Sequence, residues 1–173
     1  MTTVVWVKGK LVSDSLRTRN GTKVNTPAKK VLTPVEGEEW KIMGHRAIAF
    51  GRSGMAGSEL FIKEALMSDG GLTHRTDLKI PFKMNFTAII VDEFHNGWLV
   101  QGAYKQGPNV PDSFLITNII APTSIGSGGV YADAALKMGK SAKKALKLAK
   151  VMDPHTGGKT QVTKLPKAVR RVS

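Results

Sequence analysis

The start of the chain carries the first residue type that could do chemistry. Thr2 follows Met1, and Thr3, Val4 and Val5 come directly after it. Methionine aminopeptidase removes an initiator Met when the next residue is small, so we expect the mature chain to begin at Thr2. An N-terminal Thr holds a hydroxyl and an α-amine that titrates near pH ~8 on one residue. That pair can act as a nucleophile with its own base, although a Met-Thr start also occurs by chance.

Further polar residues lie beside predicted turns in five other segments. In chain order these segments are Ser13-Asp14-Ser15, Lys29-Lys30-Val31-Leu32-Thr33-Pro34, Arg52-Ser53-Gly54-Met55-Ala56-Gly57, Ile125-Gly126-Ser127-Gly128-Gly129 and Asp153-Pro154-His155-Thr156-Gly157-Gly158. Each segment alone is typical of a turn, a solvated face or a helix end. Together they offer carboxylates, an amine, hydroxyls and backbone N–H groups, which acyl transfer uses for proton transfer and oxyanion binding.

The hydrophobic pattern predicts the elements that position these segments. Residues 3–12 are predicted to form a hairpin around Lys8-Gly9, and residues 87–103 a second hairpin around Asn96-Gly97. Other strands are predicted at 28–34, 40–43, 45–51, 114–120 and 160–163. Helices are predicted at 59–67 with Ser58 as N-cap, at 131–138, and from Ser141 as N-cap to about residue 152. Strand sets that are each followed by helices predict an α+β fold with two sheets between helix layers.

The composition limits the classes of site and partner. The 173 residues include no cysteine, which excludes disulfides and thiol chemistry, and the four histidines lack metal-ligand spacing. We therefore expect no metal and no cofactor. No apolar run reaches the ~18 residues of a membrane span, and we expect no membrane partner. The net charge of +13 is compatible with a solubilising surface or with binding to a polyanion such as nucleic acid.

Taken in order, the segments resemble the threonine-nucleophile N-terminal (Ntn) hydrolases of the proteasome β and HslV type, and especially their short phage and bacterial members. The resemblance implies an αββα sandwich of two antiparallel sheets between helix layers. Only 30 positions separate Gly57 from Thr87, so the first helix layer should be reduced. We expect one domain over residues 1–163 and a basic, flexible tail over 164–173.

The resemblance also implies a role for each candidate residue. The expected catalytic set is Thr2 as nucleophile, Lys30 (with Lys29 as second choice) to tune its hydroxyl, Asp14 to pair with that lysine, Gly54 for the oxyanion, Ser127 to bond the Thr2 amine, Asp153 to orient Ser127, and Thr156 where the family has Ser. Arg52 and Ala56 would line the pocket for the side chain before the cut, where Arg52 would favour an acidic or neutral residue. His155 is expected to be a bystander.

Two functions from different classes remain open at this point. The first is a peptidase that acts on peptides or unfolded protein, as a homo-oligomer or docked on a larger assembly, in the cytoplasm of a bacterium or of a phage-infected host. The second is a silent structural protein of a phage particle or nucleoprotein assembly. Its basic C-terminal part would bind nucleic acid or an acidic partner through Lys140, Lys143, Lys144, Lys147, Lys150, Lys164, Lys167, Arg170 and Arg171.

Overall fold

The computed structural model describes residues 2–19, 22–24, 26–76, 79–81, 83–103 and 113–170. Met1 and Arg171, which carried two of the expectations above, lie outside the described residues. The elements, in chain order, are β1 (Thr3–Val7), β2 (Lys10–Ser13), β3 (Arg17–Arg19), β4 (Thr22–Val24), β5 (Val31–Leu32), β6 (Lys41–Ile42), β7 (His45–Gly54), α1 (Ser58–Met67), β8 (Asn85–Asp92), β9 (Gly97–Ala103), β10 (Ser113–Ile119), β11 (Thr123–Gly126), α2 (Gly129–Lys137), α3 (Ala142–Met152) and β12 (Gln161–Lys164).

Two antiparallel sheets form the centre of the fold. The four-stranded sheet has the order β11-β1-β2-β12, so β1 lies between its hairpin partner and a strand from the last third of the chain. The six-stranded sheet has the order β10-β9-β8-β7-β5, with β6 also paired to β7. Strands β3 and β4 form a separate short antiparallel hairpin.

Hydrophobic side chains from both sheets share one core. Val4 and Leu11 of the smaller sheet pack with Ile89 of the larger sheet, together with further apolar residues of both. Helix α1 covers the other face of the larger sheet, where Phe61 joins a second cluster. Helices α2 and α3 cover the outer face of the smaller sheet, where Leu146 joins a third. The layers are therefore helix, sheet, sheet and helix pair.

Strand β1 is apolar on both faces because both faces are covered by other parts of the fold. Side chains alternate across a strand, and here Val4 and Trp6 point into the core between the sheets while Val5 packs under α2 and α3. Both faces are covered, so the run from Val4 to Trp6 is buried. This burial fixes the position of the residue that precedes the strand, Thr2.

Several helix starts and caps in the structure differ from those predicted from the sequence. Gly57 with φ 90° is the N-cap of α1 in place of Ser58, which is the first helical residue. The Ser58 hydroxyl is buried and has no hydrogen-bond partner among the residues that the structure describes. Ser141 precedes α3 but makes no side-chain cap bond. Helix α2 starts at Gly129, two residues before the predicted start, because the glycine-rich turn continues directly into the helix.

The segment after residue 163 makes backbone hydrogen bonds to the rest of the chain. Lys164 is the last residue of β12, so the expected boundary falls inside a strand. Beyond it, Leu165 N–H donates to Gly9 O at 3.1 Å, and Val169 N–H donates to Glu93 O at 2.9 Å. These bonds hold the described part of the tail across the turns of two hairpins.

Candidate active site

Three predicted residues meet at the end of the smaller sheet. Thr2 precedes β1, Asp14 follows β2 and Lys30 precedes β5. Lys30 Nζ donates to Thr2 Oγ1 at 2.6 Å and lies 3.9 Å from Asp14 Oδ1. The hairpin brings Asp14 beside Thr2, since Thr3 N–H donates to Asp14 Oδ1 at 2.8 Å. Lys30 rather than Lys29 makes these contacts, in agreement with the first choice from the sequence.

Asp14 is a fixed and fully buried carboxylate. Besides Thr3, it accepts hydrogen bonds from Leu16 N–H at 3.1 Å and from Gly157 N–H at 3.3 Å. Burial raises the pKa of the Asp14 carboxyl above its ordinary value, and the backbone donors and Lys30 oppose that rise. The three N–H groups leave Asp14 little freedom, so it holds Lys30 in place.

Lys30 is a buried amine, and only 4% of its surface is exposed. Burial lowers the pKa of the Lys30 ammonium below its ordinary value of 10.5, Asp14 opposes this, and the positive charge of Arg52 lowers it further. A lysine in such surroundings can hold or release a proton near the Thr2 hydroxyl more readily than an exposed lysine.

A second polar network connects the glycine-rich turn with the segment after α3. Ser127 Oγ donates to Asp153 Oδ2 at 2.6 Å, and Thr156 Oγ1 donates to the same oxygen at 2.5 Å. Burial raises the pKa of Asp153, but the bonds from Ser127 and Thr156 outweigh it, so the pKa lies below its ordinary value. The three residues therefore meet as the sequence predicted. His155 adds only a backbone N–H bond to Asp153 Oδ1.

Thr3 links this network to strand β1. Its Oγ1 accepts the Gly128 N–H at 3.0 Å and lies 2.6 Å from Thr156 Oγ1. A hydroxyl has one hydrogen, and that of Thr156 already goes to Asp153. The Thr3 hydroxyl must therefore donate to Thr156, and the chain runs in one direction from Gly128 N–H through Thr3 and Thr156 to Asp153. The sequence reasoning missed this role for Thr3, although a hydroxyl inside a buried strand was a visible signal.

Two glycines allow close backbone approach at the site. Gly126 has φ 99°, and a Cβ there would lie 1.6 Å from the Thr2 carbonyl oxygen. Gly54, the last residue of β7, has φ 115°, and a Cβ there would lie 2.5 Å from Asn85 O. Neither position can hold another residue without moving the backbone. Gly54 packs against β8 and lines the same cavity as Thr2.

A cavity of about 380 Å³ opens in front of Thr2. Its lining joins the β3 region, the lysine segment and the turn after β7: Thr2, Arg17, Thr18, Pro27, Ala28, Lys29, Lys30, Arg52, Gly54, Ala56 and Glu59. Arg52 and Ala56 therefore lie where the sequence analysis placed a side-chain pocket.

Arg52 is not an unpaired cation in this cavity, contrary to the basis of the predicted preference. Its Nη2 lies 2.5 Å from Glu59 Oε2, and its Nη1 donates to Met55 O at 3.2 Å. Glu59 also accepts the Gly57 N–H at 3.1 Å, which fixes its carboxylate at the start of α1. The sequence analysis assigned Glu59 only to a helix, so it missed the residue that neutralises Arg52.

The predicted basic surface is only partly available. Lys140, Lys143, Lys144, Lys147, Lys164, Lys167 and Arg170 are exposed. Lys150 is not free, because its Nζ donates to Gly158 O at 2.9 Å and to Thr160 Oγ1 at 2.7 Å. In the part of the chain that the structure describes, no helix is long and apolar enough to cross a membrane. The same residues contain no group of three or more His, Asp or Glu side chains placed to hold a metal ion.

Comparisons with known proteins identify the fold. No family model matches the sequence, and no curated protein matches it either. Two solved structures of Thiobacillus denitrificans BPH, a bacterial proteasome homologue, do match. The one in complex with epoxomicin has a TM-score of 0.59 and 13% identity, over 98% of this chain and 99% of that chain. The other has a TM-score of 0.56 and 14% identity, over 95% and 98%.

This chain has a proteasome-like fold. The match extends over nearly the whole length of both proteins, so it includes both sheets and the flanking helices. At this level of identity the likeness concerns the fold alone, and function must be argued from the residues around Thr2.

Proposed function

We propose that the protein is a threonine peptidase that hydrolyses peptide bonds through Thr2 after removal of Met1. The observation that carries the proposal is the 2.6 Å hydrogen bond between Lys30 Nζ and Thr2 Oγ1, buried beside Asp14 at the mouth of a cavity. A hydroxyl held by a buried amine is the arrangement of an activated nucleophile. The proteasome-like fold of a BPH structure that contains epoxomicin supports the same reading.

In the proposed reaction, Thr2 Oγ1 attacks the peptide carbonyl carbon and its proton passes to the Thr2 amine or Lys30. The Gly54 backbone N–H stabilises the oxyanion. The C–N bond then breaks, the leaving amine takes the proton, and an ester on Thr2 remains. Water hydrolyses this ester, releases a carboxylic acid and restores the hydroxyl. Loss of one oxyanion donor typically costs about 3 kcal/mol of barrier.

Ser127 and Asp153 position the amine side of this reaction. Ser127 donates its hydrogen to Asp153 Oδ2, so its oxygen keeps lone pairs that can accept a hydrogen from the Thr2 ammonium. Thr156 donates a hydrogen bond to Asp153, and Thr3 in turn contacts Thr156, so both residues hold Asp153 in place. The proposal therefore gives Ser127, Asp153, Thr3 and Thr156 a role in positioning the Thr2 amine.

The test combines mass spectrometry and kinetics. Intact mass of the protein from its own host should lack Met1, and the protein should cleave short fluorogenic peptides, with epoxomicin as an inhibitor. Thr2→Ala should abolish cleavage. Lys30→Met should lower kcat by about a hundredfold or more, while the matched Lys29→Met, one residue away and exposed, should lose far less. Retained Met1, or equal losses in the two lysine variants, would contradict the proposal.

The second function keeps one specific observation in its favour. Lys140, Lys143, Lys144 and Lys147 are all exposed at or along α3. Such a row can neutralise phosphates, so we also propose that this face binds nucleic acid or an acidic partner. Binding to DNA should then weaken steeply with salt, and a variant with Gln at Lys143, Lys144 and Lys147 should reduce the salt dependence. Unchanged binding in that variant would remove this function.

A further inference from the structure

A second cavity lies beside Thr2 on the side of the glycine-rich turn. Its volume is about 690 Å³, within the range of ligand sites in proteins. Its lining includes Gln101 of β9, Gly126 of β11, and Asp133 and Lys137 of α2. Gly126 contacts the Thr2 carbonyl, so this cavity begins next to the proposed nucleophile.

A smaller cavity lies between the first and the second and shares lining residues with both. This cavity of about 310 Å³ shares Gly54 with the first cavity, and Thr87 and Gln101 with the second. The shared lining residues place the three cavities in a row, from the one lined by Thr2, across the ends of β8 and β9, to the one lined by Gly126. A peptide substrate needs room of this kind, because its chain continues on both sides of the bond that is cut.

Asp133 is the fixed charge in the second cavity. Ser124 N–H donates to its Oδ1 at 2.7 Å, and Ser124 Oγ lies 2.6 Å from the same atom. The second oxygen, Oδ2, has no hydrogen-bond or ion-pair partner among the described residues. Asp133 is half-buried and doubly held, whereas Lys137 is exposed at the rim. The anchored carboxylate is therefore the fixed charge that a ligand in this cavity would meet, whereas Lys137 can turn away into solvent.

The register of β11 indicates which part of a substrate Asp133 could reach. Thr3 pairs with Gly126, and Ser124 lies two residues further along β11, a separation of about 6.6 Å on a strand. An extended peptide covers the same distance in two residues. The group that meets Asp133 would thus belong to the second or third residue beyond the bond at Thr2.

We propose that the second cavity binds the segment that leaves after the cut, and that Asp133 selects a basic side chain, Lys or Arg, at its second or third position. This inference rests on the proposed peptidase function. It assigns the cavity beside Arg52 and Ala56 to residues before the cut and the Asp133 cavity to residues after it.

The experiment measures kcat/KM for internally quenched peptides that differ only in the second and third residues after the cut, which are Lys, Gln or Glu. The wild-type protein should prefer Lys over Glu by about five- to tenfold. Asp133→Asn keeps an oxygen for Ser124 but removes the charge, and the ratio should fall to about one. Equal rates, a preference for Glu, or an unchanged ratio in Asp133→Asn would overturn the proposal.

Two further variants and one substrate complete the test. Lys137→Glu adds a second negative charge from an exposed position and should increase the Lys-to-Glu ratio, even if Asp133→Asn does not fold; no increase overturns the proposal. Lys137→Met is the control for loss of the rim cation and should keep the basic preference. Cleavage of a peptide whose leaving group is only a fluorophore tests the peptidase function alone. If the wild-type protein cleaves neither the quenched peptides nor the fluorophore peptide, both the peptidase function and this inference are refuted. If it cleaves the quenched peptides without preference for a basic residue, only this inference is refuted.

Discussion

Replacement of Thr3 by Val tests whether the hydroxyl chain beneath the site is a necessary part of the structure. Val has nearly the same shape but cannot accept the Gly128 N–H or donate to Thr156 Oγ1, which now lie 3.0 and 2.6 Å from Thr3 Oγ1. Thr3 and Gly128 are both buried, so water cannot replace the lost partners. A methyl group would also be too close to Thr156 Oγ1, and the network would have to shift.

The expected loss of stability follows from the two bonds. Leaving the Gly128 N–H unsatisfied and removing the donor to Thr156 together cost about 2–4 kcal/mol. For a protein of this size, that lowers Tm by about 4–16 °C. Thr3→Ser keeps both hydrogen bonds and loses one methyl group, at a cost of about 1 kcal/mol.

The assay is thermal unfolding of both variants, followed by peptide hydrolysis at a temperature where both are folded. Thr3→Val should melt below Thr3→Ser and should also have a lower kcat, because Asp153 and Ser127 lose support. If the two variants melt at the same temperature, the hydrogen bonds of Thr3 contribute nothing, and the directed chain from Gly128 to Asp153 is refuted.

Three more predictions concern charge. Glu59→Gln should free Arg52 from its ion pair. The ratio of kcat/KM for peptides with an acidic residue before the cut to kcat/KM for peptides with a neutral one should then rise about fivefold. If the two peptides, assayed side by side, give an unchanged ratio, Glu59 does not neutralise Arg52 in the pocket. If neutral Lys30 accepts the Thr2 proton, kcat/KM should rise with pH through the lowered pKa of Lys30. Arg52→Gln removes a neighbouring positive charge, so this pKa and the rising limb should move to higher pH; a shift to lower pH would refute the assignment. The pKa of Asp153 is depressed, so the stability that its ionised form contributes is present above its ordinary value of 3.8 and is lost as pH falls through the lower folded value. Asp153→Asn should therefore show a flatter acid limb in pH-dependent denaturation, and equal slopes would argue against it.

The strands and the polar residues at their ends were largely predictable from the sequence. Alternating or continuous β-branched runs beside Lys8-Gly9 and Asn96-Gly97 located both hairpins, because local turn chemistry sets hairpin register. Lys30 could be chosen over Lys29 by motif spacing, and the structure shows it at Thr2. These successes depend on short-range patterns or on motif order.

Contacts that depend on three-dimensional pairing were not predictable. The Arg52–Glu59 pair joins the end of a strand to the start of a helix, and neither residue type nor spacing indicates it. The engagement of Lys150 by Gly158 and Thr160 likewise arises from the turn after α3. The tail composition suggested mobility, but its backbone bonds to two hairpin turns came from the positions of those turns.

The place of β1 in its sheet also has a consequence for the order of events during synthesis. Thr2 reaches its final surroundings only when β1 pairs with β11 and when Thr3 meets Thr156, 153 residues later in the chain. At about 5–20 residues per second, a ribosome needs about 8–30 s to produce that length. The nascent chain therefore carries Thr2 for most of translation before the strand that follows it is paired on both sides, and the surroundings of Thr2 are complete only when nearly the whole domain has emerged.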